Sequence, residues 1–196
     1  MKVFGLTGNM GCGKSTVAII LATLPDAVIF DCDLIAKEII RTGKYADQIK
    51  DILGEGVFLN GKLNLLLVAN AIFSDSIKKK AFEELIHPLV WREVEERLES
   101  GDPSKIYIIE SALIYETDSE SRFDAVILAA CSKEVQMERL TKNRKMLRSD
   151  IEARLKDQIP TQEKQEYAQY IIDTDCTLLE LETRVRALYE ELRTRP

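Results

Sequence analysis

Eight consecutive residues, Gly8-Asn9-Met10-Gly11-Cys12-Gly13-Lys14-Ser15, satisfy the spacing G-x-x-x-x-G-K-[ST]. They follow an apolar run, Val3 to Leu6, and open a segment of helical period, which is the strand and helix context a phosphate-binding loop requires. The chemistry is that of an anion cradle. Glycines let the backbone curl until successive N–H groups converge on phosphate oxygens, and the helix N-terminus adds positive potential. Lys14 then reaches the β- and γ-phosphates of a nucleotide, and Ser15 offers a hydroxyl to Mg²⁺. With Thr16, the residues from Gly8 to Ser15 form the expected ATP-binding segment.

Phosphoryl transfer also needs a group that orients the acceptor, and ligands of open α/β sheets gather at the carboxyl ends of strands. The run Phe30-Asp31-Cys32-Asp33 places two carboxylates at such an end. One suits a general base that takes an acceptor hydroxyl; for the other, action through Mg²⁺-bound water and capping of the next helix both stay open. Asp33 is assigned the base because it opens the segment expected to carry the acceptor, and Asp31 and Asp33 are both candidate substrate ligands. Glu110 ends another apolar run, Ile106 to Ile109, where it is a candidate metal or substrate ligand, with a cap as the alternative. Arg139 and Arg144 lie in a charge-dense stretch with Lys142, Lys145, Arg148, Arg154 and Lys156. They are the candidate catalytic cations, with Lys14, for neutralising charge as the phosphoryl group moves, and their closure would keep water from the nucleotide. His87, the only histidine, precedes Pro88 in a helical segment; it is a candidate substrate contact, an ordinary structural histidine being the alternative. A guanine-reading Asn/Thr-Lys-x-Asp is absent: the nearest stretch, Thr141-Lys142-Asn143-Arg144, ends in the wrong charge, which weakens the case for a nucleotide switch.

These residues need a scaffold, and the sequence describes one. Candidate strands at Val3 to Leu6, Ala27 to Phe30, Ile106 to Ile109, Ala125 to Ala129 and Tyr170 to Ile172 alternate with segments of helical period. That pattern predicts an α/β architecture with a parallel sheet covered by helices. Helices are expected at Lys14 to Leu24, Leu34 to Ile40, Ala46 to Leu53, Ile77 to Leu98 and Lys133 to Lys145, with Pro88 kinking or restarting the long one. Capping boxes are read at Ser149-x-x-Glu152 and Thr177-x-x-Glu180. The last helix is amphipathic through Leu178, Leu181, Val185, Leu188 and Leu192, and Trp91 with Leu85, Leu89 and Val94 reads as core. The expected organisation is a core at 1–31, 105–138 and 159–196, a helical substrate lobe at 32–104, and a lid at 139–158.

Composition narrows the partners. The 196 residues are 45% apolar and carry 27 basic against 33 acidic side chains, a net charge of −6. A dedicated nucleic-acid binder would carry a basic excess, so an anionic partner must be held locally. No run approaches the roughly 18 apolar residues of a membrane span, and Met1-Lys2-Val3-Phe4-Gly5 shows no leader-type cleavage site, so a cytoplasmic location is expected. The four cysteines lie far apart with no Cys-x-x-Cys pair, which points to reduced thiols rather than zinc or a disulfide framework. No obligate protein partner is evident.

Taken in order, these segments resemble one family over nearly the whole length, the dephospho-coenzyme A kinases. The resemblance rests on Gly5-Leu6-Thr7-Gly8 with the phosphate loop, Asp31-Cys32-Asp33-Leu34-Ile35-Ala36, Ile86-His87-Pro88-Leu89 and Ser111-Ala112-Leu113-Ile114-Tyr115-Glu116. Arg154-x-x-x-Gln158 and Tyr167-Ala168-Gln169-Tyr170-Ile171-Ile172-Asp173 continue it. It implies a three-layer P-loop kinase fold with five parallel strands, an inserted helical lobe and a lid. It further implies Mg²⁺-dependent transfer of the γ-phosphoryl of ATP to the ribose 3′-hydroxyl of dephospho-coenzyme A, with Asp33 engaging that hydroxyl. Lys14 and either Arg139 or Arg144 would hold the phosphoryl group. The chain departs from the family pattern at Leu63-Asn64-Leu65, where Leu-Asp-Arg is usual, and at Ser111, where proline is usual. It departs again in the five-residue spacing of Arg139 and Arg144, and at Asp173-Thr174-Asp175-Cys176, where Asp-Asn-x-Gly is common.

Overall fold

Three runs of the chain are apolar without polar alternation, as strands covered on both faces must be. They form the centre of the sheet: β1 (Lys2–Thr7), β5 (Ile106–Glu110) and β6 (Ala125–Ala130), the last two buried throughout. The computed structural model describes residues 1–195. With β2 (Ala27–Asp31) and β7 (Tyr170–Asp173), the five-stranded sheet has the order β2-β5-β1-β6-β7. β1 pairs in parallel with β5 and β6, and β6 with β7. Register decides where the chemistry gathers. Leu6 pairs with Glu110, Thr7 with Leu128, and Ala130 with Asp173, so the phosphate loop, Glu110, Cys131 and Thr174 all leave the same edge of the sheet.

The chain divides into two compact units, one comprising Met1–Phe30 and the chain from Asp102 onward, the other Asp31–Gly101. In the first, α1 (Lys14–Ala22) and α9 (Leu178–Thr194) bury Val17, Leu21, Leu181, Val185, Leu188, Tyr189 and Leu192 against the sheet core of Phe4, Leu6, Ile108 and Ile127. Leu178, expected on that apolar face, is exposed because it occupies the first turn of α9. The Thr177–Glu180 capping box forms reciprocally. The one read at Ser149 does not: α7 (Arg148–Leu155) starts before it, and Glu152 instead accepts from Arg148 Nε at 3.0 Å. The helix expected to run from Lys133 to Lys145 stops as α6 (Lys133–Glu138) and continues as one wide turn, Arg139–Asn143, closed by Arg144 N–H on the Arg139 carbonyl. Lys145, at φ +52°, ends it. The short helix α8 (Thr161–Tyr167), absent from the sequence reading, follows.

The second unit holds α2 (Cys32–Thr42), α3 (Ala46–Leu53), the hairpin β3 (Phe58–Leu59) and β4 (Lys62–Leu63), α4 (Leu65–Ser74) and α5 (Ser76–Glu99). Asp31, Asn64 and Asp75 each cap a helix by accepting two backbone N–H groups. Pro88 neither ends nor restarts α5, which runs through it; the neighbouring Glu84 is exposed, so a carbonyl deprived of its helical partner there can turn to water. The buried face of α5 is Phe82, Ile86, Val90 and Val94; of the expected core set Val94 is buried, while Trp91, Leu85 and Leu89 are half-buried. The hairpin and α4 were not legible because α4, Leu-Leu-Leu-Val-Ala-Asn-Ala-Ile-Phe-Ser, is apolar on every side and has no helical period to detect. Among the described residues no helix is long and apolar enough to cross a membrane.

Candidate active site

The loop from Gly8 to Gly13 owes its path to what lies behind it. A Cβ on Gly8 would stand 2.6 Å from the Ala129 carbonyl oxygen, and Gly13, at φ +83°, has Thr174 3.1 Å from the place a Cβ would take. Both glycines are therefore required, one by close approach and the other by left-handed backbone with no room behind it. The loop ends in hydrogen bonds from Thr16 and Val17 N–H to the Gly13 carbonyl, which start α1 with its unpaired amides at the sheet edge.

Lys14 and Ser15 converge on one carboxylate. Glu110, buried at 4% exposure, accepts from Lys14 Nζ at 2.6 Å and from Ser15 Oγ at 2.9 Å through the same oxygen, Oε1. A hydroxyl and a carboxylate this close form a hard-oxygen donor set that suits Mg²⁺. The residues present thus fit the ion that the phosphate-loop motif implies.

Arg139 reaches the loop through Thr174. Its Nη1 donates to Thr174 Oγ1 at 2.9 Å and its Nη2 to the Thr174 carbonyl at 2.6 Å, while Thr174 Oγ1 donates to the Cys12 carbonyl at 3.0 Å. The threonine that replaces the family's usual asparagine is thus a buried bridge between guanidinium and loop. The wide turn at Arg139–Asn143 separates the two arginines: Arg144 is exposed and stands outside this network.

Further contacts tie Asn9 and Met10 of the loop to Gln136, Gln158, Ile159 and Lys164, which the sequence does not mark as site residues, and to Glu116. Met10 N–H donates to Gln158 Oε1 at 3.0 Å, Gln136 Nε2 to the Met10 carbonyl at 2.8 Å, and Asn9 Nδ2 to the Ile159 carbonyl at 2.9 Å. Ile159 N–H donates in turn to Glu116 Oε1 at 2.9 Å, and the same oxygen pairs with Lys164 Nζ at 2.7 Å. Lys164 is fully buried and also donates to the Ala112 carbonyl at 3.1 Å. Burial pushes its ammonium below the ordinary lysine value, and the Glu116 hydrogen bond pulls against that. Gln158 and Glu116 carried a prior signal, each at the end of a segment that resembles the family, Arg154-x-x-x-Gln158 and Ser111-Ala112-Leu113-Ile114-Tyr115-Glu116; Lys164 sits in a polar helix and looks like any surface lysine in sequence.

Of the alternatives open for the paired aspartates, the cap falls to Asp31, whose Oδ1 accepts from Asp33 N–H at 2.8 Å and Leu34 N–H at 3.0 Å. Asp33 is exposed in the first turn of α2, and His87 is half-buried in α5. Both belong to the Asp31–Gly101 unit.

A five-stranded sheet of this order, with a G-x-x-x-x-G-K-S loop between β1 and α1, defines a P-loop kinase. The profile of the dephospho-CoA kinases matches residues 2–180. A dephospho-CoA kinase of Aquifex aeolicus is 34% identical over 199 residues, covering 100% of both chains. One of Geobacter sulfurreducens is 35% identical, covering 96% of this chain and 98% of its own. A crystal structure of a Thermus thermophilus protein superposes with a TM-score of 0.82 at 30% identity, covering 97% of each chain. The chain belongs to the dephospho-CoA kinase family.

Proposed function

We propose that the protein transfers the γ-phosphoryl group of ATP to the ribose 3′-hydroxyl of dephospho-coenzyme A, giving coenzyme A and ADP, the last step of coenzyme A synthesis, and that it does so in the cytoplasm. The observation that carries this reading is the convergence of Lys14 and Ser15 on Glu110 within a chain that matches the family from residue 2 to residue 180. The loop amides receive the β- and γ-phosphates, and Lys14 leaves Glu110 for them as they arrive. Ser15, with Glu110 beside it, would hold Mg²⁺, which when bound neutralises phosphate charge. Arg139 is preferred to Arg144 as the cation that stabilises the moving phosphoryl group, because its fork already lies on Thr174 beside the loop. Asp33 engages the acceptor hydroxyl and takes its proton, with Asp31 fixing the turn that presents it. His87 is a proposed acceptor contact, and residues 139–158 the proposed lid.

The test is coupled ADP release from Mg²⁺-ATP with and without dephospho-coenzyme A, followed by mass analysis of the product. Acceptor-dependent turnover with one phosphoryl gained at the ribose 3′ position is expected. Folded protein that binds ATP and yields no such product would overturn the reading.

A further inference from the structure

Thr174 is the first residue beyond β7, and each of its polar groups is committed. Its N–H donates to the Ala130 carbonyl at 2.8 Å, which carries the β6–β7 pairing one step past the strand. Its carbonyl accepts from Arg139 Nη2 at 2.6 Å. Its hydroxyl faces two groups at once, accepting from Arg139 Nη1 at 2.9 Å and donating to the Cys12 carbonyl at 3.0 Å. A hydroxyl has a single hydrogen, so with that hydrogen on Cys12 a lone pair is left for the arginine, and the two bonds do not compete. The side chain is held in this arrangement. It is buried and stiff at χ1 because it branches at Cβ, and its Oγ1, Cβ and Cγ2 stand 3.1 or 3.2 Å from the place a Cβ on Gly13 would take. A guanidinium is planar, so bonds from both Nη atoms to one residue fix its plane as well as its position. They use one N–H from each Nη and leave the other donors of the fork for phosphoryl oxygens. Arg139 itself opens the wide turn, and beyond Leu140 the residues of that turn are exposed, so the contact with Thr174 rather than packing sets its aim.

We propose that Thr174 is a positioning residue, whose hydroxyl couples the phosphate loop to Arg139 so that the guanidinium is aimed at the moving phosphoryl group only while the loop keeps its phosphate-receiving shape. The proposal rests on the reaction given above, in which Arg139 neutralises that group. Thr174 touches neither ATP nor the acceptor in this role and acts through Arg139 alone. A shift of the Cys12 carbonyl turns the hydroxyl, and the hydroxyl takes one prong of the fork with it. Misplacing a group at the reacting centre by about 1 Å costs on the order of a hundredfold in rate, so a small displacement of the loop is enough to disable transfer. Binding of the phosphates and aiming of the cation are thereby linked through one oxygen atom.

The experiment is a double-mutant cycle on the full chain: wild type, Thr174→Val, Arg139→Met and the two together. ATP affinity is read by titration and kcat at saturating Mg²⁺-ATP and dephospho-coenzyme A. Valine keeps the branched shape and removes the hydroxyl. The two measurements separate its two bonds, the one to Cys12 acting on affinity and the one to Arg139 on kcat. Thr174→Val should lower kcat by about tenfold to a hundredfold, and should lower it no further once Arg139 is methionine. Thr174→Ser, which keeps the hydroxyl, should recover most of the lost turnover. An equal loss of kcat in both backgrounds would mean that Thr174 only supports the fold, and an unchanged kcat that it positions nothing; either result overturns the proposal. Wild-type protein without acceptor-dependent turnover would overturn the reaction instead. A measurement that needs no acceptor then decides for Thr174, and serves equally if Thr174→Val does not fold. In the ATP-bound wild-type chain the Arg139 Nη protons, identified by their absence from Arg139→Met, should exchange with solvent at least about tenfold more slowly than those of the exposed Arg144. Exchange as fast as that of Arg144 would overturn the proposal.

Discussion

Every buried polar or charged side chain among the described residues lies in the unit that carries the phosphate loop: Thr7, Asn9, Glu110, Ser119, Gln136, Lys164 and Thr174. The Asp31–Gly101 unit buries only apolar groups and exposes several large ones, including Leu34, Leu59, Leu66, Phe73 and Ile77. The two regions solve different problems. A phosphate cradle must have its donors aimed before the charge arrives, and buried polar side chains bonded to the loop do that aiming. A unit proposed to receive an acceptor needs a stable apolar core and a chemically free surface. One consequence is that stability and activity should be entangled in the first region and separable in the second.

The largest test of that separation is Asp33→Asn. Asp33 is exposed and is not the cap, so its loss should leave thermal unfolding and ATP affinity unchanged while turnover falls by the ~10²–10⁴-fold typical of a lost general base. Full turnover in the variant would remove Asp33 from its proposed role, and a lowered melting temperature would deny that the region is separable.

Glu116→Gln probes the entangled side. It removes the counter-charge from a fully buried lysine and halves the acceptor for Ile159 N–H, so folding stability should fall by ~3–5 kcal/mol, the range for half of a broken buried ion pair. ATP affinity should fall with it, because Ile159 holds Asn9. The pH dependence has a definite sign. Burial sets the Lys164 value below its ordinary 10.5, so in the alkaline window beneath 10.5 the unfolded chain binds more protons than the folded one, and stability rises with pH there. Without Glu116 the folded value drops further, so the deficit of the variant should be greatest at neutral pH and shrink on the alkaline side. Urea titrations at several pH values read this directly; a deficit that does not change with pH would mean that Lys164 is not the group responsible.

Sequence reading found the sheet strands to within about two residues, because buried parallel strands are uninterrupted apolar runs and their ends carry the turn residues. It found the phosphate loop because glycine, lysine and serine at fixed spacing have one use. It did not find the Glu116–Lys164 pair or the role of Thr174, since these depend on which residues the strand register brings to one edge, and a lysine held in the interior looks like a lysine in water. It misplaced the Ser149 cap because a capping box describes a local pattern, and the chain had already entered α7 one residue earlier. On α5 it placed Val94 on the buried face but took Leu85 and Leu89 for their neighbours Ile86 and Val90, and one position on a helix is about 100° of rotation.

The smallest effect sharpens the comparison most locally. Asn64 stands where the family usually has aspartate, and its Oδ1 accepts from Leu66 N–H at 3.0 Å and Leu67 N–H at 3.1 Å. The Asn64→Ala substitution removes the cap of a helix that buries only Val68, at a cost of ~1 kcal/mol. With so little burial to hold the first turn of α4, the cost should appear as local fraying. Amide exchange at Leu66 and Leu67 should then speed up by about fivefold, the rate equivalent of that energy, while exchange in β1 and β5 stays as it was. The matching change Thr177→Ala, at the cap of α9, removes a bond of the same kind from a helix that buries five side chains, Leu181 to Leu192. There the same ~1 kcal/mol should register in the cooperative unfolding of the unit and move its melting temperature by about 2–4 °C. Equal local fraying at both caps would show that the two regions do not differ in how they carry strain, and would remove the distinction between an aimed site and a free surface.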